Sequence, residues 1–258
     1  MGKLIQAFKE GRQLAGPFMK LSDPSIVEIF GHAGFDFAIF DTEHGPLNME
    51  SIADLIRAAR LVGISPNVRI RKNDPSLISQ ALDLGAEGIL VPHISNAEAA
   101  SNAVKASLFA PDGQRGVCCY VRSAKYSHLD KQEYFKKANE SSVIIPFIEG
   151  SEGIKNLNEI ISVKGIGAIF IGPYDLSQSM GVPGQIDHPQ VISKIEEVVK
   201  SAKNAGLAVG TFVDDLPSAS RWMKLGVQYI AYSVDVGIIY NASKHIVSEL
   251  RREGETKR

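Results

Sequence analysis

Residues 35–70 decide the fold, and they read FDFAIFDTEHGPLNMESIADLIRAARLVGISPNVRI. The stretch begins and ends with short runs rich in β-branched and aromatic residues, Phe35–Asp41 and Ser65–Ile70, which predict two strands. The residues between them, 48–62, repeat apolar side chains at helical spacing; the stripe consists of Ile52, Leu55, Ile56 and Ala59. The stretch is therefore one strand–helix–strand unit, the building block of a parallel sheet.

This unit recurs along the chain. Eight runs predict strands: Leu14–Lys20, Phe35–Asp41, Ser65–Ile70, Gly88–Ile94, Val143–Glu149, Gly167–Gly172, Ala208–Val213 and Tyr229–Asp235. Several are apolar on both faces, which is typical of strands covered on each side by other layers. Eightfold alternation in 258 residues predicts one domain, residues 1–258, folded as a single (β/α)₈ TIM barrel. An open doubly wound sheet remains an alternative on the pattern alone, although its G-x-G-x-x-G fingerprint follows none of the strands.

Certain residues predict where helices begin and end. Asn96 and Ser151 are expected to cap helix N-termini, because their side-chain oxygens can accept from free backbone N–H groups. Glycines at the left-handed position after a helix are expected at Gly63, Gly85, Gly206 and Gly226.

Three segments fall outside the repeat. Met1–Arg12 predicts an amphipathic helix and not a secretory signal. Residues 110–140 are long and polar, and predict a loop insertion that serves as a lid or a subunit contact. Residues 235–253 predict an amphipathic C-terminal helix, which could cover its own barrel or cross to a partner chain.

The composition excludes several classes of function. A net charge of −1 gives no basic surface for nucleic acid or an anionic membrane, and no apolar run is long enough to span a bilayer. The two cysteines, Cys118 and Cys119, are adjacent, which suits neither a disulfide framework nor a zinc site. We therefore expect a cytoplasmic protein.

Polar residues gather where the predicted strands end, which is where barrel enzymes place their active sites. They are Asp41, Glu43, His44, Arg69, Glu149, Tyr174 and Asp175, with Gly172 just before the last two. Each has an ordinary structural alternative. Glu149 could cap the helix that follows, Asp175 could stabilise a turn, Arg69 could pair with Asp41 or Glu43, and His44 could be a turn residue. Together they predict a catalytic rim, because the charges fall on neighbouring strands.

An oxygen-rich set of carboxylates without a Cys or His cluster favours Mg²⁺ or Mn²⁺ over zinc. Such an ion polarises the keto group of a 2-oxo acid, so that a proton on the adjacent carbon becomes removable. A nearby arginine would stabilise the enolate, and a histidine could move the proton. The competing Schiff-base route needs a desolvated lysine, for which Lys20 is the candidate at a strand end, and the pattern does not favour it.

Six segments, taken in order, resemble a known family. They are Phe40–Pro46, Val68–Arg69 with Asn73–Pro75, Leu90–Pro92, Pro111–Gly116, Ile148–Glu149 and Phe170–Ser177. They are similar to segments of the 4-hydroxy-2-oxoheptanedioate aldolases, also called 2,4-dihydroxyhept-2-ene-1,7-dioate aldolases, which are pyruvate-dependent class II aldolases. The similarity runs from about Phe8 to the last helix.

The resemblance implies a divalent-metal-dependent aldolase, using Mg²⁺, Mn²⁺ or Co²⁺. The enzyme would reversibly cleave a 4-hydroxy-2-oxo acid to pyruvate and an aldehyde through a metal-bound pyruvate enolate. It implies Glu149 and Asp175 as metal ligands, His44 as the acid/base and Arg69 as the group that stabilises the enolate.

The resemblance also implies features that the residues alone do not. Asp83 would hydrogen-bond His44, and Gly172 with the backbone amides around Tyr174 and Asp175 would bind the pyruvate carboxylate. A homohexamer, a trimer of dimers with the last helix exchanged, is implied as well, as is a place in aromatic compound or sugar-acid catabolism.

One position departs from the family pattern. The heptanedioate aldolases carry a substrate-contacting glutamine two residues before the metal-binding glutamate, and here that position is Phe147. The acceptor aldehyde is therefore left open. Two alternatives also stay open: a malyl-CoA or citramalyl-CoA type lyase on the same scaffold, and a barrel that binds a keto acid without turnover.

Overall fold

The computed structural model describes residues 2–255, with the backbone alone for 253–255. The predicted domain bounds 1–258 extend, at Met1 and at 256–258, outside the described residues. Within the described part, eight parallel strands close into a barrel in sequence order, so that the predicted (β/α)₈ fold is confirmed and the open sheet is wrong. The strands are β1 Leu14–Met19, β2 Phe37–Asp41, β3 Ser65–Arg69, β4 Gly88–Val91, β5 Val143–Ile148, β6 Ala168–Ile171, β7 Ala208–Val213 and β8 Tyr229–Val234.

Helices cover the outside of the barrel and one of its ends. In chain order they are α1 Lys3–Lys9, α2 Pro24–His32, α3 Met49–Val62, α4 Pro75–Leu84, α5 Ala97–Ser107, α6 Lys131–Ser141, α7 Ser151–Lys155, α8 Leu157–Ile161, α9 Pro173–Ser179, α10 Pro189–Asn204, α11 Leu216–Leu225 and α12 Asp235–Glu255. Helix α1 buries Leu4 and Ala7 against the side chains that fill the barrel. It thereby closes the N-terminal end and leaves the other end open.

The predicted helix ends are confirmed with one exception. Asn96 caps α5 by accepting from the backbone N–H of Ala99, and Gly63, Gly85 and Gly226 follow their helices with positive φ. Gly206 also has positive φ, two residues beyond the end of α10, after the C-cap residue Ala205. Ser151, in contrast, is the first residue of α7 and does not cap it, because Gly150 takes the N-cap position.

The predicted loop at 110–140 is wrong in its second half. Residues Lys131–Ser141 form α6, which Asp130 caps by accepting from the backbone N–H of Glu133, and Arg122–Ala124 form a short 3₁₀ turn. Tyr134 and Phe135 of α6 pack on Phe109, and this small apolar cluster ties the helix to the barrel. The helix was missed because α6 is polar on most of its surface.

Asp235 joins the two strands that close the barrel. It is fully buried at the start of α12, and its carboxylate accepts from the backbone N–H groups of Lys20 and Leu21, directly after β1. The C-terminal end of β1 is therefore held to the C-terminal end of β8. No helix within residues 2–255 is both long and apolar enough to cross a membrane.

Candidate active site

A pocket opens at the C-terminal ends of the strands, with a cavity volume of about 220 Å³. Its walls come from the strand ends and from the loops that follow them. The lining residues are Phe18, Lys20, Asp41, His44, Arg69, Phe147, Phe170, Gly172, Pro173, Tyr174, Asp175, Phe212, Asp214 and Val234. Most of the residues that the sequence predicted for the site thus share one cavity.

Arg69 is the centre of a buried charge network. Its guanidinium donates to both oxygens of Asp41, at 2.9 and 2.7 Å, and lies 3.3 Å from Glu43. Burial disfavours the charged form of Asp41, but the hydrogen bonds and the positive charge of Arg69 outweigh that effect and hold the pKa of Asp41 below its usual range. The ion pairs of Arg69 with Asp41 and Glu43, which the sequence allowed, are therefore present. They fix the arginine at the edge of the pocket.

Aromatic rings hold the same guanidinium from the other side. Its central carbon lies 4.8 Å from the ring centroid of Phe18 and 5.5 Å from that of Phe147. Phe147 in turn stacks on Phe170, with centroids 4.5 Å apart. Phe147 is 2% exposed, so the position that departs from the family pattern is part of the pocket floor.

Glu149 lies beneath this rim, 5% exposed, and its two oxygens meet different surroundings. Oε1 accepts from the backbone N–H of His93 at 2.7 Å and lies 2.9 Å from Nδ1 of the same histidine. Oε2 faces Gly172, where a Cβ atom would come within 3.1 Å of it. A side chain at position 172 would therefore crowd the free oxygen of Glu149. The contact with His93 also replaces the helix cap that the sequence allowed for Glu149.

The negative charge of Asp175 also acts on Glu149. Burial raises the pKa of Glu149, the contacts with His93 oppose that rise, and the negative charges of Asp175 and Glu43 add to it. Asp175 is exposed in the first turn of α9, and none of the described basic residues forms an ion pair with it. Glu149 and Asp175 therefore lie close enough for the negative charge of Asp175 to act on Glu149.

These carboxylates fit a hard divalent ion. Within residues 2–255, no group of three or more His, Cys, Asp or Glu side chains is arranged to hold a metal. A site with two carboxylates leaves several coordination positions for substrate and water, which is how Mg²⁺ is commonly bound. Burial is the main cause of the raised pKa of Glu149, and a cation would offset the negative charge of Asp175 that adds to it.

His93 is a site residue that the sequence analysis missed. Besides its contacts with Glu149, its Nε2 lies 3.2 Å from Glu43, so one imidazole bridges two rim carboxylates. It was missed because residues 88–94 were assigned to a strand, whereas β4 ends at Val91 and His93 has a φ of 54°. A positive φ turns the chain, so that the backbone N–H and the ring both face Glu149.

His44 lies at the pocket mouth. Its backbone N–H donates to Asp41, its imidazole lies 3.9 Å from Glu43, and the side chain is 58% exposed. The ring can therefore reach both a bound substrate and solvent, as a proton carrier must.

Asp83 does not join this site within a single chain. It lies in α4, where it accepts from the guanidinium of Arg115 at 2.6 Å. No hydrogen bond links Asp83 to His44 in the described part of the chain, so the predicted contact is absent from the protomer. Arg115, from the segment after α5, satisfies Asp83 instead.

Lys20 does not fit Schiff-base chemistry. Its ammonium donates to the backbone carbonyl of His44 at 3.1 Å and lies 3.9 Å from Asp41. A lysine that forms a Schiff base needs an apolar surrounding that favours the neutral amine. The prediction against that route agrees with this geometry.

Tyr174 and Asp214 form the outer wall. The Tyr174 hydroxyl donates to Asp214, and the ring lies 5.9 Å from that of Phe212. Burial, this hydrogen bond and the negative charge of Asp214 raise the pKa of Tyr174 to about 12, so the phenol keeps its proton at neutral pH.

A closed parallel barrel with a charged pocket at its C-terminal rim defines the class of barrel enzymes. Residues 14–242 match the sequence profile described as HpcH/HpaI aldolase/citrate lyase. The chain belongs to this family, which places it among the lyases.

Three comparisons illustrate the relationship. Over 243 residues the chain is 35% identical to the 4-hydroxy-2-oxo-heptane-1,7-dioate aldolase of Shigella sonnei (strain Ss046), covering 94% of this chain and 92% of that protein. A family protein from Burkholderia cenocepacia J2315 superposes with a TM-score of 0.93 at 31% identity, covering 97% of this chain and all of the other. The citrate synthase SbnG superposes with a TM-score of 0.89 at 30% identity, and 98% of each chain is covered.

Proposed function

We propose that the chain is a divalent-metal-dependent aldolase. It would reversibly cleave a 4-hydroxy-2-oxo acid to pyruvate and an aldehyde through the enolate of pyruvate. The observation that carries the proposal is the pair of carboxylates Glu149 and Asp175. Asp175 lines the same pocket as Arg69 and His44, and Glu149 is buried beside Gly172 of that lining. The aldolase name of the Shigella sonnei relative supports the same chemistry.

In this proposal Glu149 and Asp175 hold the ion, and the oxygen donors suit Mg²⁺ or Mn²⁺, with Co²⁺ also possible. When bound, the ion acts as a Lewis acid that polarises the keto group of the 2-oxo acid. Gly172 leaves room beside the free oxygen of Glu149. The backbone N–H groups of Tyr174 and Asp175 lie in the first turn of α9, where they have no partner within the helix, and they would bind a substrate carboxylate.

The other rim residues act on the substrate itself. The Arg69 guanidinium, fixed by Asp41 and two rings, stabilises the negative charge that develops on the keto oxygen. The His44 imidazole removes the proton from C3 of pyruvate and returns one in the reverse direction. Asp83 takes no part in these steps within one chain, because Arg115 holds it.

A thioester lyase is the second candidate, supported by the likeness to a citrate synthase. A barrel that binds a keto acid without turnover is the third. Exchange of the pyruvate methyl protons distinguishes them from an aldolase, because it requires enolate formation but no second substrate.

The experiment follows the pyruvate methyl signal by NMR in D₂O with Mg²⁺ or Mn²⁺, and again with excess chelator. We expect exchange that the chelator abolishes, and that Glu149→Ala and Asp175→Ala also abolish. Glu152→Ala, which changes an exposed carboxylate on α7 nearby, is the matched control and should leave the rate unchanged. Exchange that persists under chelation would contradict the metal assignment. The absence of exchange with either metal would favour the thioester lyase or the binder.

The remaining expectations belong to the same proposal. We propose a homohexamer, a trimer of dimers, in which α12 packs on a neighbouring chain. The cytoplasm and a role in aromatic compound catabolism stay predictions from the sequence and the family.

A further inference from the structure

The pocket has a charged side and an apolar side. The charged side is built by β2, β3 and β5, with the residues that follow them: Asp41, Glu43, His44, Arg69 and Glu149. The apolar side is built by β1, α9, β7 and β8, with Phe18, Tyr174, Phe212 and Val234. An aldolase must hold two substrates at once, so this division suggests a separate surface for each.

The apolar side is a continuous aromatic wall. Phe18 lies 5.9 Å from Phe212 and 6.0 Å from Phe170, and Phe212 lies 5.9 Å from Tyr174, centroid to centroid. Tyr174 is 44% exposed, and Phe212 is partly exposed. A ligand that packs on these rings removes apolar surface from water, which is favourable at about 25 cal/mol per Å².

The charges of the pocket disfavour a second anionic group on that side. The Arg69 guanidinium forms ion pairs with Asp41 and Glu43, and the Lys20 ammonium lies near Asp41. On the apolar wall itself stands Asp214, whose carboxylate accepts from Tyr174. None of the described salt bridges involves Asp214, so its negative charge is not neutralised by a neighbouring cation.

We infer that the aldehyde partner is uncharged and carries an apolar substituent that packs on Phe18, Tyr174 and Phe212. The negative charge of Asp214 disfavours an aldehyde that carries a carboxylate. The inference rests on the proposed aldolase function and names its acceptor class. In the synthetic direction, C3 of pyruvate loses a proton to the base and forms a bond to the aldehyde carbon. The aldehyde oxygen gains a proton and becomes the 4-hydroxyl group. The product carries the single carboxylate that pyruvate brings, unlike the dioate in the name of the Shigella sonnei relative.

The test compares two aldehydes of the same shape, 4-methylpentanal and succinic semialdehyde, which differ in an isopropyl group against a carboxylate. With pyruvate and Mn²⁺, we expect kcat/KM to be roughly tenfold or more higher for 4-methylpentanal. Asp214→Asn should narrow that ratio by roughly threefold to tenfold, because it removes the repulsion of the carboxylate. A preference of the unaltered protein for succinic semialdehyde would overturn the inference.

Asp215→Asn is the matched control. It makes the same change in charge one residue away, outside the pocket, and asparagine can still cap α11, as Asp215 does by accepting from the Ser218 N–H. We expect its aldehyde ratio to equal that of the unaltered protein, and an equal shift in both variants would overturn the role of Asp214.

Methyl exchange of pyruvate, measured on the same samples, distinguishes a wrong acceptor class from a wrong proposed function. Exchange without turnover of 4-methylpentanal, propanal or benzaldehyde would overturn the acceptor class and leave the proposed donor chemistry standing. Loss of exchange itself would overturn the proposed function.

Discussion

At the scale of single residues, the site depends on the different surroundings of the two carboxylate oxygens of Glu149. His93 contacts Oε1 with its backbone N–H and with Nδ1, while Oε2 faces the glycine at 172. As the proposed metal ligand, Glu149 held in this way would reach an ion in one orientation. Partners that orient ligands commonly change metal affinity by a factor of about 10 to 100. We therefore assign His93 a positioning role.

Replacement of His93 tests this role. His93→Ala should weaken Mn²⁺ binding roughly tenfold, because the ring contact with Oε1 is lost while the backbone contact remains. Titration calorimetry measures the affinity directly, and thermal denaturation checks the fold. His128→Ala removes an exposed histidine from the segment before α6 and should bind Mn²⁺ normally. Unchanged affinity in His93→Ala would show that the backbone alone positions Glu149.

Metal affinity should also depend on pH through Glu149. Burial raises its pKa, as do the charges of Asp175 and Glu43, so this carboxyl group takes up a proton at a higher pH than an exposed glutamate does. Because the proposed ion would bind the carboxylate form of Glu149, metal affinity should fall as the pH drops through that raised pKa and recover as the pH rises again. Calorimetric titrations with Mn²⁺ at several values between about pH 5 and pH 8 measure the effect. A constant affinity across this range would contradict it.

At the scale of elements, the barrel closes where β1 meets β8, and this seam is irregular. The register between the two strands shifts between Gly16 and Phe18. Gly16 lies so close to β2 that a Cβ atom would come within 2.1 Å of the Phe37 carbonyl oxygen. Since β1 and β2 are both hydrogen-bonded to neighbouring strands of the barrel, neither can move away from the other without breaking these hydrogen bonds.

Gly16→Ala should therefore lower the free energy of unfolding by about 1 to 3 kcal/mol, the usual cost of overpacking a core. Urea denaturation followed by circular dichroism measures the loss. Gly116→Ala is the matched control, because no atom outside its chain neighbours lies within 4 Å of the position its Cβ would take. Equal stabilities of the two variants would mean that the strands adjust at little cost.

The sequence predicted the strands well because each run is short, apolar and followed by a turn, and the parallel topology then brings the strand ends together. For that reason the sequence could name Arg69, Glu149 and Asp175 as candidate site residues, and their roles stay predictions. The sequence could not show that β4 ends at Val91, and so His93 was hidden inside an apparent strand. It also could not show that Arg115, distant in the chain, would take the hydrogen bond of Asp83.

At the scale of the whole molecule, α12 has an apolar face that its own barrel leaves uncovered. Ile239 is 42% exposed, Ile246 58% and Leu250 66%, and helical spacing places the three on one side. The alternative in which this helix covers its own barrel is therefore wrong for these residues. Exposed apolar surface of this kind marks an interaction site, and the proposed hexamer would cover it.

Charges on that face should break the assembly. Ile246→Glu combined with Leu250→Glu is expected to convert the hexamer to smaller species, because a carboxylate buried at an interface without a partner costs several kcal/mol. Light scattering after size exclusion measures the mass. Asn241→Glu combined with Ser248→Glu adds two charges on the opposite side of the same helix and should leave the hexamer intact. If the unaltered protein is a monomer, or if both double variants keep the full mass, then α12 does not carry the assembly.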